Sequence, residues 1–423
     1  MLTYFFKKHL IIDYGASKKG ISVFLQMFSF ICYIGLIFTV SSPLILYKYF
    51  SLVPAIFAAG LGVSTFLITL FFEKKFAIHY LTFCFIFFTL IAIFGTLIYS
   101  HNFSYLKTTI NVFLMFFSLI LYFITIKRIK LFSFLFSFSI LSLAYAFLIY
   151  YFPQILSNIR NISAFRFGNE FDNTNSLAFT FLTGIVCNFV LCIFYKENIG
   201  LLIYFYISIF ILSISIFLTG SRAALLGLLI SIITYLIVSL YKKHKIILSI
   251  ILLFLIVIIV VVLLLPPFET IRKRFFSLFT FTSSDSKYDA SLSIRLSMFV
   301  DSIQYWFKHL FFGYGDGGFA SITNHGSYSH STLAEMLCNF GLVGSFFYLF
   351  PLIYPMTKNR NVNNRNAFFI LFFGVFLIGL IGTVLLQKKS FYILLAIFYS
   401  DFLIQNHRSL KFVNIFNKTE VNE

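Results

Sequence analysis

A chain of 423 residues in which 60% are hydrophobic and only 11% are charged carries more apolar surface than a soluble core of that length can enclose. The composition excludes a soluble globular protein and indicates an integral membrane protein. The formal charge of +18 does not point to nucleic acid, because the cations come in small groups between apolar runs, with no stripe or arm for a duplex to lie against.

The first apolar run, 21–46, is too long for the core of a signal peptide and lacks a small-residue cleavage pattern, so the N-terminus is expected to be retained. Further runs follow at 50–72, 77–100, 109–126, 131–152, 174–195, 199–219, 222–241, 246–265, 331–356, 367–386 and 391–405. At ~20 apolar residues per crossing these make about twelve helices. The expected fold is all-α and polytopic, a single membrane domain over 1–423 with one long loop, 266–330, between the ninth and tenth helices. The cut at Gly220-Ser221 is forced, because the apolar stretch around it is too long for one span. All five cysteines (Cys32, Cys84, Cys187, Cys192 and Cys338) lie in or beside apolar runs without a CxxC pair, and read as packing residues.

With the N-terminus inside, most of the Lys and Arg fall in cytoplasmic seams, among them Lys74, Lys75, Lys242, Lys243 and Lys411. That is the asymmetry that anchors membrane proteins. The cations on the other side concentrate at Arg160 and Arg166, at Arg222, and in the 266–330 loop. Anchoring does not account for these.

Arg222 follows Gly220-Ser221, with Ser221 a candidate N-cap and Arg222 the first residue of a helix. A cation is unfavourable at that end unless an anion sits on both the charge and the free N–H groups. An arginine that merely snorkels to the interface is the competing reading. Upstream, Glu170 and Asp172 are spaced like an acid-x-acid metal pair, a sparse signal, and no metal site is expected.

The loop itself carries six cations against five anions, so an anion site in it must come from local geometry. Arginine suits that role better than lysine because its planar fork grips a phosphate with two hydrogen bonds. Arg272, Arg274 and Arg295 are the candidates. The run Gly313-Tyr-Gly-Asp-Gly-Gly318 has no GK[ST] ending and follows no strand, so it is not a nucleotide loop. It reads as a tight turn with close backbone approach.

His330 ends the loop, flanked by Ser329, Ser331 and Thr332 at the mouth of an apolar helix. Imidazole is the side chain best suited to take a proton near neutrality, although a lone His at an interface is more often structural. Glu335 reads as the acid of a Thr332-x-x-Glu335 capping box, and His325 is a weaker competitor for a base.

In order, these elements are recognisable. Thr219-Gly-Ser-Arg222 opens a mid-chain helix, and a long loop leads to Phe312-Gly-Tyr-Gly-Asp-Gly-Gly-Phe319. His330-Ser331 is then followed by nine residues and Gly341-Leu-Val-Gly344. From about 166 to 351 the chain resembles the O-antigen ligase and O-antigen polymerase family, membrane glycosyltransferases of the GT-C type.

The resemblance implies a multi-pass protein of the bacterial cytoplasmic membrane that works on the external face, with the bilayer and undecaprenyl-pyrophosphate-linked oligosaccharides as partners. A chain-length regulator is a further candidate partner. It implies metal-independent, inverting transfer without a cofactor, in which His330 activates the acceptor hydroxyl. Arg222, with Arg166, Arg272, Arg274 and Arg295, would stabilise the pyrophosphate, and Gly313, Gly315, Gly341 and Gly344 belong to the structural motif. The expected function is joining of lipid-linked repeat units into a surface polysaccharide. A low-GC composition favours this polymerase reading over the ligase that transfers the chain to lipid A core. A lipid-linked oligosaccharide transporter is the alternative of a different class. Transporters bring charges and broken helices to the bilayer midplane, whereas the polar residues here gather at one face.

Overall fold

The computed structural model describes residues 20–41, 53–68, 75–78, 80–126, 131–151, 174–240, 286–323, 325–358, 362–377, 392, 394–396, 399 and 411–414. In chain order these include α1 (Gly20–Ser41), α2 (Val53–Ile68), β1 (Lys75–Ile78) and α3 (Tyr80–Gly95), which runs on as a π turn (Thr96–Ser100). Then come α4 (Phe103–Ile126), α5 (Leu131–Tyr151), α6 (Thr174–Phe194), α7 (Ile199–Thr219) and α8 (Arg222–Leu240). They are followed by α9 (Ser286–Lys308), the short α10 (Gly318–Ile322), α11 (Thr332–Lys358), α12 (Val362–Leu371) with a second π turn (Phe372–Phe376), and β2 (Lys411–Asn414).

Each predicted apolar run carries a helix except 246–265, which lies outside the described residues, and 391–405, of which only single residues are described. The protein is therefore an all-α polytopic membrane protein, with α3–π, α4, α6, α7 and α11 long and apolar enough to cross a bilayer and shorter apolar helices beside them. The cut at Gly220 stands: it closes α7 in a left-handed conformation, φ 61°, which glycine adopts without steric cost. Among the apolar helices, α6 is the interior one, with 83% of its spanning window buried against 28% for α7 at the periphery. The only paired strands among the described residues are β1 and β2, antiparallel with Lys75 opposite Asn414. Lys75 and Lys411, both expected on the cytoplasmic side, thus share one end of the bundle.

Two features depart from the sequence expectation. The segment 266–330 is not loop throughout, because 286–308 forms α9. Met298, Ser302 and Tyr305 recur at helical spacing on its inward face, and α9 packs on α11. The second departure is in α11, where Gly341 has φ 63° and ψ −166° inside an otherwise continuous helix. That region of backbone space is essentially closed to residues with a Cβ.

An aromatic cluster clamps α3 to α11. The Phe88 ring centroid lies 4.7 Å from that of Phe340 and 5.2 Å from that of Tyr348, whose hydroxyl is 2.8 Å from that of Tyr392. Gly344 leaves room for Phe340 of that cluster: a Cβ there would stand 2.5 Å from the Phe340 Cβ. The broken helix and the π turn are thereby held at one end of the bundle, with the glycine-rich loop between them.

Candidate functional site

A continuous α11 would donate from Leu342 N–H and Val343 N–H to the carbonyls of Cys338 and Asn339. The break at Gly341 frees all four groups, and the chain after α9 takes each of them. Leu342 N–H donates to Leu310 O (2.9 Å) and Val343 N–H to Phe311 O (3.0 Å), while Tyr314 N–H and Gly315 N–H donate to Cys338 O (3.1 Å) and Asn339 O (2.7 Å). Two helix bonds are exchanged for four between segments, so none of these four groups is orphaned at the break.

The other side of the loop enters the π turn of α3. Asp316 N–H donates to Thr96 Oγ1 (2.8 Å), and Ser100 Oγ donates to Asp316 O (2.8 Å). Gly315, at φ 82°, comes so close that a Cβ would stand 2.1 Å from the Gly95 carbonyl carbon. Gly313, at φ 66°, meets the Asn339 carbonyl in the same way. The expected tight turn with close backbone approach is present, and Gly313, Gly315 and Gly341 each fill a place in it.

The mouth of α11 hangs on the same framework. Ser331 caps the helix, its Oγ accepting from Ala334 N–H (3.4 Å). Glu335 is buried and accepts from Ser329 N–H (2.7 Å) through one oxygen and from Asn339 Nδ2 (3.1 Å) through the other. Asn339 Oδ1 in turn accepts from Phe319 N–H (2.8 Å) at the start of α10. The expected capping box is therefore shifted: Ser331 is the cap, and Glu335 reaches past it to the residue before His330. One face of α11 thus ties together the mouth, the glycine loop and the break.

His330 sits in this cradle in a left-handed conformation, φ 59°, uncommon for a residue with a Cβ. It is half-buried, with its ring 4.4 Å from that of Tyr328, and no hydrogen bond among the described residues reaches its imidazole. Partial burial, and then the nearby Arg295 guanidinium, hold its pKa below the ordinary histidine value. The charge of Arg295 also acts on Tyr328, whose phenol is raised chiefly by burial. Arg295 on α9 is the loop arginine among the described residues, and its charge reaches His330.

The remaining candidates divide. His325 is tied to Asp301, Nε2 to Oδ2 at 2.7 Å, and its ring lies parallel to that of Phe319 at 5.8 Å. Asp316 is buried, and burial pushes its carboxyl up to about 6 against the Thr109 hydroxyl and the Gly317 N–H. Its Oδ2 and the Thr109 hydroxyl both lack a well-formed hydrogen bond among the described residues. Arg222 opens α8 as expected, but its side chain lies outside the described part, and the buried Ser221 hydroxyl makes no capping bond. Arg166, Arg272, Arg274, Glu170 and Asp172 lie outside the described residues. The five cysteines are unpaired and four of them are buried, in keeping with packing roles.

The sequence reading did not single out Asn339, Thr96 or Ser100. Their roles depend on segments far apart in the chain, and only the glycine run from Gly313 to Gly318 pointed to a close crossing.

A bundle of apolar helices with a histidine, an arginine and a glycine-locked loop gathered at one end defines a polytopic membrane protein. Residues 207–349, which hold Arg222, the whole loop, His330 and the break in α11, match the family model described as O-antigen ligase, and this match supports the O-antigen ligase and polymerase family that the sequence resembles. The match supports a function of the O-antigen ligase and polymerase type. No curated protein matches the chain.

Proposed function

We propose that the protein is a polymerase joining undecaprenyl-pyrophosphate-linked oligosaccharide repeat units, by metal-independent inverting transfer at the external face of the bacterial cytoplasmic membrane. The observation that carries this reading is His330. It is held by the backbone at a helix mouth, with an imidazole that makes no hydrogen bond among the described residues and a pKa kept low by burial and Arg295. A neutral imidazole so placed accepts the proton of an acceptor hydroxyl as that oxygen attacks the anomeric carbon. The bond from that carbon to the pyrophosphate breaks, and the leaving oxygen carries away the electron pair. Arg295, with Arg222 and the arginines at 166, 272 and 274, is suited to hold the pyrophosphate through charge-assisted hydrogen bonds.

The break in α11 does not revive the transporter reading. Gly341 lies nine residues after Thr332, about 14 Å along the helix, and the groups it frees are taken by the glycine loop of the protein itself, whereas a transporter's broken helix leaves such groups for its substrate.

The family description favours a second reading, a ligase with lipid A core as acceptor. One assay separates them. Purified protein with lipid-linked repeat units alone should yield a polymer ladder on a gel, and product only after lipid A core is added would establish the ligase. His330→Ala should remain folded while product formation falls by roughly 10²- to 10⁴-fold. Product formation should persist in EDTA; loss restored by magnesium or manganese would overturn the metal-independent mechanism. A wild-type ladder from His330→Ala would remove the proposed base.

A further inference from the structure

The two faces of α9 differ. Met298, Ser302 and Tyr305 point inward, with Arg295 on the same side, while Leu296, Val300, Ile303 and Phe307 fall on the other at the spacing of one helical stripe. Phe307 is 66% exposed, and the turn that follows adds Phe311 and Phe312, each 59% exposed. An aqueous loop does not gain from such a row of bare aliphatic and aromatic side chains.

The depth of this turn follows from its bonds to α11. The spanning part of α11, Thr332–Thr357, has 26 residues. At 1.5 Å per residue it is about 39 Å long, some 9 Å more than a hydrocarbon core of about 30 Å. Leu310 and Phe311 are hydrogen-bonded to Leu342 and Val343, about 15 Å from the start of the helix. Even if all the excess length stood out at the site end, the turn would lie roughly 6 Å inside the hydrocarbon. Its backbone suits that place: Leu310 O accepts from both Leu342 N–H and the Trp306 indole, and Gly313, Tyr314 and Gly315 donate within the protein. Irregular chain at this depth requires such pairing. Trp306, at the end of α9, has the apolar body and polar edge typical of a membrane interface.

We propose that the apolar stripe of α9 and the turn at Phe311–Phe312 are seated among the acyl chains of the leaflet at the site end, so that Arg295 is held at the level of the lipid headgroups. A pyrophosphate on a lipid carrier lies at that level, and the arginine meets it without the carrier leaving the membrane. The seating rests on the membrane reading of the fold; only its use for a pyrophosphate rests on the proposed reaction.

Trp306 is the one tryptophan of the chain, so its emission reports this helix in the wild-type protein. Full-length protein is placed in nanodiscs of phosphatidylcholine, either plain or with acyl chains brominated near the headgroup. The brominated lipid should remove roughly half of the emission, as for an indole at the membrane interface, and aqueous iodide should remove little. Strong iodide quenching without lipid quenching would put α9 in water. Quenching by neither would mean that protein covers the face. Either result would overturn the proposal. Val300→Lys, on the stripe, should weaken quenching by brominated lipid, while Ser297→Lys, beside it, should not; equal behaviour would also count against the seating. Because fluorescence is read without turnover, failure of the seating and failure of the proposed reaction remain distinguishable.

Discussion

Helices α7 and α11 are both long and apolar enough to cross a bilayer, yet they settle their backbones in different ways. In α7 the hydroxyls of Ser208, Ser213 and Ser215 donate to the carbonyls four residues earlier, and every bond needed for the span lies inside it. In α11 the break at Gly341 hands four bonds to the segment after α9. A self-contained span can change its surface without disturbing anything else. A span that shares its backbone with a loop cannot, and the loop it shares with is the one that leads to His330.

The largest effect should come from setting two glycines against each other. Gly341→Ala forces a Cβ into backbone space reserved for glycine, at 2.3 Å from the Phe311 carbonyl carbon. The conformation alone costs roughly 1–3 kcal/mol, and the clash adds to it, so a marked fall in melting temperature and loss of product are expected. Gly200→Ala, at the start of α7, meets only Asn198 Oδ1 at 3.6 Å. It should be neutral or stabilising by about 0.5–1 kcal/mol. Equal melting temperatures in detergent for the two variants would break the contrast between the helices.

A smaller effect should come from Glu335→Gln. The carboxylate accepts from two donors, and the amide can keep only one of them while turning its NH₂ toward the other. One buried donor left unsatisfied costs roughly 1–3 kcal/mol. The variant should be less stable, and its product formation should fall by less than in His330→Ala. A variant as stable as wild type would mean that Glu335 does not hold the mouth of α11.

Much of this organisation is legible in the sequence. Apolar runs place the helices, and Gly220 separates α7 from α8. The run from Gly313 to Gly318 announces a close crossing, because so many residues without a Cβ serve little other purpose. What cannot be read is the partner in each crossing. The break in α11 is hidden because a single glycine is ordinary in a membrane helix, and its four hydrogen bonds go to residues some thirty positions away. Helix α9 is missed because polar residues dilute its apolar stripe below anything a membrane-length window detects. Arg295 has no mark in the sequence that ties it to His330; the packing of α9 on α11 brings its charge within reach.

The central claim, that His330 is a base whose proton affinity is lowered by Arg295, is tested most directly by the pH dependence of kcat/KM for wild type and Arg295→Gln. The base must be neutral to act, so activity rises with pH through its pKa. Burial and the arginine charge both disfavour imidazolium, and the acid limb of the wild type should therefore fall below the ordinary histidine value. Removing the guanidinium charge relieves part of that penalty, raises the pKa and moves the acid limb to higher pH, whatever the loss in absolute rate. An acid limb that stays in place in Arg295→Gln would contradict the account.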